Sequence, residues 1–175
     1  ASDVYKRQLW VHKASHHFDL LNWWIDSDPE SVYALGSLDH YGKNGTFRAE
    51  NCRTCPHTSK CKFYYDITRN QNYMDLYVAN EKYDGYLRDG CVFKNDVNIF
   101  DKMAATIRYK NGVQVAYSLT TYSPYEGYRI AFNGTKGRLE AWIQESRPTS
   151  DVNFDELVLF KNCLLYTSDA ADDLT

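Results

Sequence analysis

Two segments of this chain carry turn chemistry that leaves the backbone little choice. In "KMAATIRYKNGVQVAYSLTTY", residues 102–122, apolar and β-branched residues alternate with polar ones on both sides of Asn111-Gly112. Asn-Gly between alternating runs is the strongest short-range hairpin signal, because both residues tolerate the positive φ that a tight hairpin demands. "YRIAFNGTKGRLEAWIQ", residues 128–144, repeats the device around Asn133-Gly134 and Gly137. "SVYALGSLDHYG" upstream is rich in β-formers, and "DELVLFKN" downstream supplies a last strand. Phe18, Leu21 and Ile25 recur at helical spacing, which predicts a helix from about Ala14 to Ile25 that ends before Pro29. "NQNYMDLYVANEKY" reads as a short helix with frayed ends, and residues 44–66 as a polar, cysteine-bearing excursion. The expected fold is α+β: an open, mostly antiparallel β-sheet with helices packed on one face.

The two ends do not fit this pattern. "ASDVYKRQ" and "CLLYTSDAADD" resemble translations of the transposon-end adapters used in shotgun DNA library preparation, in the expected orientations. Residues 1–8 and 163–175 are therefore set apart as adapter-like, and residues 9–162 are expected to form one domain of a fragment. Removing Asp3, Lys6, Arg7, Asp169, Asp172 and Asp173 turns a net charge of −3 into near neutrality. Such a balance argues against nucleic acid as a partner. No apolar run approaches the ~18 residues of a membrane span, so no membrane partner is expected, and any N-terminal signal would lie upstream of this fragment. A cytoplasmic setting is the expectation.

"VHKASHHFDLLNWW", residues 11–24, packs three histidines, a lysine and an aspartate just ahead of an apolar run. Residues three and four apart share a helix face. His12, His16 and Asp19 form one stripe; Lys13, His16 and His17 form its neighbour. Histidine titrates near neutrality and can pass a proton at working pH, while a lysine can donate to a sugar hydroxyl. On spacing alone, a solvated helix start with one capped histidine is the simpler reading. His12 and His16 also stand at the spacing of a zinc pair, but no glutamate follows His12 as the metalloprotease motif requires. Trp23 and Trp24 are expected in the core.

Cys52, Cys55 and Cys61 lie in "CRTCPHTSKC", and Cys91 follows thirty residues later. C-x-x-C turns tightly enough for two thiolates to hold one ion, and Cys91 would close a tetrahedral structural zinc site, with His57 as the rival fourth ligand. Four free thiols in a reducing compartment and a pair of disulfides are the alternatives. Tyr122, Tyr125 and Tyr128 could line a sugar site, though tyrosines between strands are more simply sheet surface. Asn44-Gly45-Thr46 and Asn133-Gly134-Thr135 spell glycosylation sequons that overlap turn signals, and the turn is the better reading.

"HKASHHFDLLNWWI", "VYALGSLDHYG", "NCRTCPHTSKC", "DGCVF" and "NGTKGRLE", in that order, resemble the C-terminal domain of the Gfo/Idh/MocA family, the glucose–fructose oxidoreductase and inositol dehydrogenase relatives. The resemblance covers essentially all of residues 9–162. It implies an α/β domain with an open sheet that shapes a substrate site and mediates homo-oligomerisation. It also implies an N-terminal Rossmann domain that binds NAD or NADP. No G-x-G-x-x-G occurs here, so that domain lies outside this chain and the fragment alone is expected to be inactive. The implied activity is oxidation of a sugar or cyclitol hydroxyl, or the reverse reduction. His16 matches the family's active-site histidine, and Asp19 the aspartate that follows it. His12 falls where many members carry an acid, a departure from the pattern. Catalysis is thus expected at His16, with His12, Lys13 and His17 binding substrate. Two other functions compete: an NAD-dependent glycosidase of the same family, and a non-catalytic, zinc-stabilised interaction domain.

Overall fold

The computed structural model describes residues 13–124, 126–146 and 156–161; the adapter-like ends and His12 lie outside them. The chain divides into two compact units, residues 1–122 and 123–175.

In the first unit, helix α1 spans Ala14–Ile25, as the apolar spacing predicts. Ala14 and Leu21 are buried, and Phe18 and Ile25 pack on Ala105, Ile107 and Tyr109 of the sheet. The helix ends at Asp26, whose φ of 52° is left-handed and whose N–H bonds the carbonyl of Asn22 at 3.0 Å. An aspartate tolerates that conformation better than most residues, so it can stand where glycine usually does. Trp23 and Trp24 depart from expectation: they are 75% and 41% exposed. Helical geometry gives the reason. At 3.6 residues per turn, Trp23 points about 200° from Leu21 and Trp24 lies about 60° off its line. The apolar stripe runs through Ala14, Phe18, Leu21 and Ile25 and does not include them.

Strands β1 (Pro29–Ser37), β2 (Lys102–Tyr109) and β3 (Gln114–Thr120) form an antiparallel sheet in that order. Strand β2 is central and alternates strictly: Met103, Ala105, Ile107 and Tyr109 are buried toward α1, and Lys102, Ala104, Thr106 and Arg108 face outward. Registers Ala34↔Ala105↔Tyr117 and Leu35↔Ala104↔Ser118 carry this alternation across the sheet. The Asn111-Gly112 turn forms where expected. Gly112 has φ 87°, and Tyr109 and Val113 close the loop through a 2.9 Å backbone bond. Only a residue without Cβ takes that φ at no cost.

Between β1 and β2 the chain makes its long excursion. It contains short helices α2 (Gln71–Leu76) and α3 (Glu81–Asp84), joined by a 3₁₀ turn at Val78–Asn80, so the expected frayed helix is a broken one. Asn70 caps α2 by accepting from the N–H of Tyr73. No residue from 44 to 66 is fully buried. Gly42, with φ 60°, brings this excursion against residues 92–97: its N–H bonds Val92, and a Cβ there would meet the Val97 carbonyl oxygen at 2.5 Å.

The second unit is a separate antiparallel sheet of β4 (Glu126–Gly134), β5 (Gly137–Ser146) and β6 (Glu156–Lys161). The described strands therefore form two three-stranded sheets. The second hairpin turns at Thr135-Lys136, because Gly134 and Gly137 face each other and Asn133 pairs with Arg138 inside the strands. Phe132, Leu139 and Leu159 line an open recess of about 710 Å³ rimmed by Lys136 and Lys161. The Arg129 guanidinium stacks over its cross-strand partner Trp142 at 4.1 Å. Tyr128 is half-buried opposite Ile143, an ordinary sheet position, and Tyr125 lies outside the described residues.

Candidate functional site

The histidine stretch opens α1, and the structure separates its members. Lys13 occupies the N-cap position and is exposed. His16, one turn further, is exposed, as is Asp19. His17 is half-buried and turns toward the sheet, where its Nδ1 lies 2.8 Å from the hydroxyl of Tyr117 on β3. The two rings sit 5.9 Å apart, and Phe18 packs on the same tyrosine at 4.8 Å. Burial pushes the Tyr117 hydroxyl up to about 12. It therefore stays protonated through the neutral range and can donate to His17. One of the two adjacent imidazoles is engaged by the sheet and the other faces outward. Tyr117 is a residue that sequence reasoning missed. Its inward register on β3 was legible, but its partner stands 100 residues away.

A second polar centre lies where β1 ends and β2 begins. The buried carboxylate of Asp101 accepts backbone N–H bonds from Asp39, His40 and Tyr41 at 2.9, 2.8 and 2.8 Å. Burial works to raise its pKa, but these three donors outweigh burial and hold it below the usual carboxylate value. Beside it, Asp39 pairs with Lys102. The His40 ring meets Tyr41, Phe63 and Tyr122 at 5.0, 5.5 and 5.0 Å. Tyr122 is thus part of an aromatic cluster around a histidine that the sequence did not mark. The centre fixes the end of the sheet; no local pattern announces Asp101, since its partners are about sixty residues upstream.

The cysteines are brought together by two distant segments. Asn51 and Gly90 form an isolated antiparallel bridge. On either side of it the Cys52 N–H bonds the Asp89 carbonyl at 2.8 Å, and the Cys91 N–H bonds the Glu50 carbonyl at 3.2 Å. Arg53 reinforces the junction, donating its backbone N–H and Nε to buried Asp89 at 3.1 and 2.9 Å and reaching Glu81 at 2.5 Å. The other carboxylate oxygen of Asp89, also buried, has no hydrogen-bond partner among the described residues. Burial pushes the Cys52 thiol up, and the nearby charges of Asp89, Cys61 and Cys91 add to this against a backbone N–H from Tyr65 that favours the thiolate. His57 packs its ring on Phe47 at 4.9 Å. Cys52, Cys55, Cys61 and Cys91 are half-buried free thiols. Among the described residues, no group of three or more His, Cys, Asp or Glu side chains stands ready-made for a metal ion. No described helix is long and apolar enough to cross a membrane.

A helix packed on one antiparallel sheet, short helices and a second antiparallel sheet define a small α+β fold. Residues 8–154 match the family described as "Oxidoreductase family, C-terminal alpha/beta domain", and the chain belongs to that family. It is 35% identical over 146 residues to the protein named "Putative oxidoreductase YteT" of Bacillus subtilis (strain 168). That alignment takes in 76% of this chain and 34% of the relative, so the chain spans about a third of the protein it matches. No solved structure matches the chain.

Proposed function

We propose that this chain is the substrate-side part of an NAD(P)-dependent oxidoreductase acting on a sugar or cyclitol hydroxyl. One observation carries the reading beyond family membership: of two adjacent histidines at the start of α1, His17 is engaged by Tyr117 while His16 faces outward beside Lys13. A group that must meet a substrate has to be exposed, and it has to stand on a rigid element. The buried side of α1 gives it that rigidity.

When bound, the nicotinamide takes up or returns the hydride. In the oxidation, His16 accepts the proton from the substrate hydroxyl as that carbon loses hydride; in the reduction it gives the proton back. Lys13 and His12 bind neighbouring hydroxyls, and His17 completes the wall through whichever ring edge the Tyr117 bond orients. No residue of this chain is assigned to the dinucleotide, because the sequence has no glycine-rich phosphate-binding turn. Self-association is assigned to the open face of the first sheet. Tyr33 and Leu35 stand exposed there, opposite Thr106 and Ala104 and away from α1. A cytoplasmic setting keeps the thiols reduced.

The test is steady-state kinetics on the full-length enzyme that carries this chain, with sugars and cyclitols as substrates. His16→Ala is expected to lower kcat/KM by something like 10²- to 10⁴-fold, the range for loss of a general acid–base. Lys13→Ala should act mainly on KM. An unchanged rate in His16→Ala would return the helix to a structural role and favour an interaction domain. Sugar release without net NADH would instead favour the glycosidase reading.

A further inference from the structure

We propose that Tyr64, Tyr65, Asp66, Arg69 and Asn70 form a binding site for an uncharged carbohydrate unit, carried by the excursion between β1 and β2 and sharing no residue with the histidine stretch of α1. The claim concerns binding by this chain alone, with no cofactor and no turnover, and stands apart from the oxidoreductase reading.

The first argument is shape. These residues line an open recess of about 460 Å³. Small-molecule sites run from about 300 to 1,000 Å³, so there is room for a pyranose ring. Two tyrosines, Tyr64 and Tyr65, stand in its wall, each 42% exposed. The flat C–H face of a sugar ring packs on such an aromatic face, and the phenol hydroxyl at the ring's edge meets the sugar's own hydroxyls.

The second argument is rigidity. Ile67, at the centre of the lining segment, is 0% exposed and anchors it. Asp66 ties the 3₁₀ turn at Ile67–Arg69, accepting the Thr68 N–H at 3.2 Å and the Thr68 hydroxyl at 2.6 Å through one oxygen. Its other oxygen accepts from the Arg69 Nε at 3.1 Å. The Asn70 side-chain oxygen accepts the Tyr73 N–H at 3.1 Å. Behind the wall the Tyr65 ring meets Tyr73 at 6.4 Å, and Tyr73 meets Tyr77 at 5.4 Å. The Arg88 guanidinium lies over both of these inner rings, 5.6 and 5.4 Å from their centres. Side chains already held in place lose little freedom when a ligand arrives, which lowers the cost of binding.

The third argument is what remains unpaired. Arg69 uses only its Nε, and Asn70 only its side-chain oxygen. The Arg69 Nη groups, the Asn70 amide nitrogen and the hydroxyls of Tyr64 and Tyr65 have no hydrogen-bond partner among the described residues. This is a set of planar donors with two hydroxyls that both donate and accept, and adjacent sugar hydroxyls match it. Charge then selects among ligands that stack on tyrosine. The Thr68 and Arg69 bonds hold the Asp66 carboxyl below the usual carboxylate value, so it stays ionised and balances Arg69. A nucleic acid strand would bring phosphates that need a basic groove, and the recess has no second cation. An apolar peptide would find no aliphatic side chain in the lining. A neutral sugar satisfies both the rings and the donors.

The test is saturation-transfer NMR and calorimetry on the full 175-residue chain. Cellobiose, maltose and lactose are the neutral probes; glucuronate and inorganic phosphate are the charged ones. At least one neutral disaccharide should bind in the millimolar range, with saturation strongest at its ring C–H protons. Tyr64→Ala and Tyr65→Ala should each weaken it on the order of 10-fold, and Tyr65→Phe, which keeps the ring, by about 3-fold or less. Arg69→Ala should also weaken it, whereas Lys136→Ala, on the rim of the other recess, should change nothing. Three results overturn the proposal: no binding of any neutral probe; glucuronate or phosphate bound more tightly than the neutral sugars; or neutral binding unaltered in Tyr64→Ala and Arg69→Ala. The Arg69 side chain is 85% exposed, and the Tyr64 ring makes no ring contact among the described residues. Those two variants therefore keep the question answerable should Tyr65→Ala fail to fold. Because neither cofactor nor turnover is involved, failure here and failure of the His16 kinetics are separate results.

Discussion

At its C-terminal end, α1 is bound to the β2–β3 hairpin by side chains and backbone together. The Tyr109 hydroxyl donates to Asn22 at 2.8 Å, the Asn111 amide donates to the Ile25 carbonyl at 3.2 Å, and Lys110 meets Asp28 through both its N–H and its ammonium at 3.0 Å. At its N-terminal end, Lys13 supplies no side-chain cap, the first turn holds no acid, and His16 faces solvent. At that end the inward side is still held, with Ala14 buried and His17 and Phe18 against Tyr117, and only the outward side carrying His16 is left exposed. A short helix can support a reactive side chain only if something else holds it still. Here the β2–β3 hairpin does so from beneath and from the far end.

Three substitutions can break or sharpen this contrast. The largest effect is expected under the clamped half. Ile107→Ala removes a buried side chain beneath Phe18 and Ile25 and should destabilise the fold by about 2–5 kcal/mol, read as a lower midpoint in chemical denaturation. A smaller change, about 1 kcal/mol, is expected for Asn111→Ala. It loses the bond to the Ile25 carbonyl and the Asn111–Val113 contact inside the turn. If this variant unfolded no more readily than the parent, the clasp would be ornamental. The smallest effect belongs to the open end: His16→Ala should shift stability by less than about 0.5 kcal/mol while it removes activity from the full-length enzyme. A large loss of stability there would erase the division between the two ends.

Much of this was legible in the sequence because it is local. The bounds of α1, the Asn111-Gly112 hairpin and the last strand follow from periodicity and turn chemistry over a dozen residues. The errors came where one residue answered to two rules. Trp23 and Trp24 are apolar, but helical phase decides which face they occupy. Asn133-Gly134 spells a turn, yet the cross-strand register carries Asn133 into β4 and moves the turn to Thr135-Lys136. In the candidate site, the sequence marked His16, His17 and the cysteines by type and spacing. It did not mark Tyr117, Asp89 or Asp101. Their partners lie 100, 36 and about 60 residues away, and only the folded chain brings such groups together.

The three N–H bonds to Asp101 have a consequence for how the domain tolerates change. Ser37 and Lys102 face each other across the sheet, the Asp101 N–H bonds the Ser37 carbonyl at 3.0 Å, and the carboxylate then gathers residues 39–41. Everything from 42 to 100 therefore leaves and returns through one tied neck. For a loop closed in this way, doubling its length costs only about 0.6 kcal/mol. Changes in the length of the excursion are therefore expected to fall on its exposed turns, with the neck keeping β1 and β2 in register. The tie holds while Asp101 is ionised. Its pKa lies below the ordinary value, so its contribution is complete above the unfolded carboxylate range near pH 3.9 and is lost as pH falls through the lowered value.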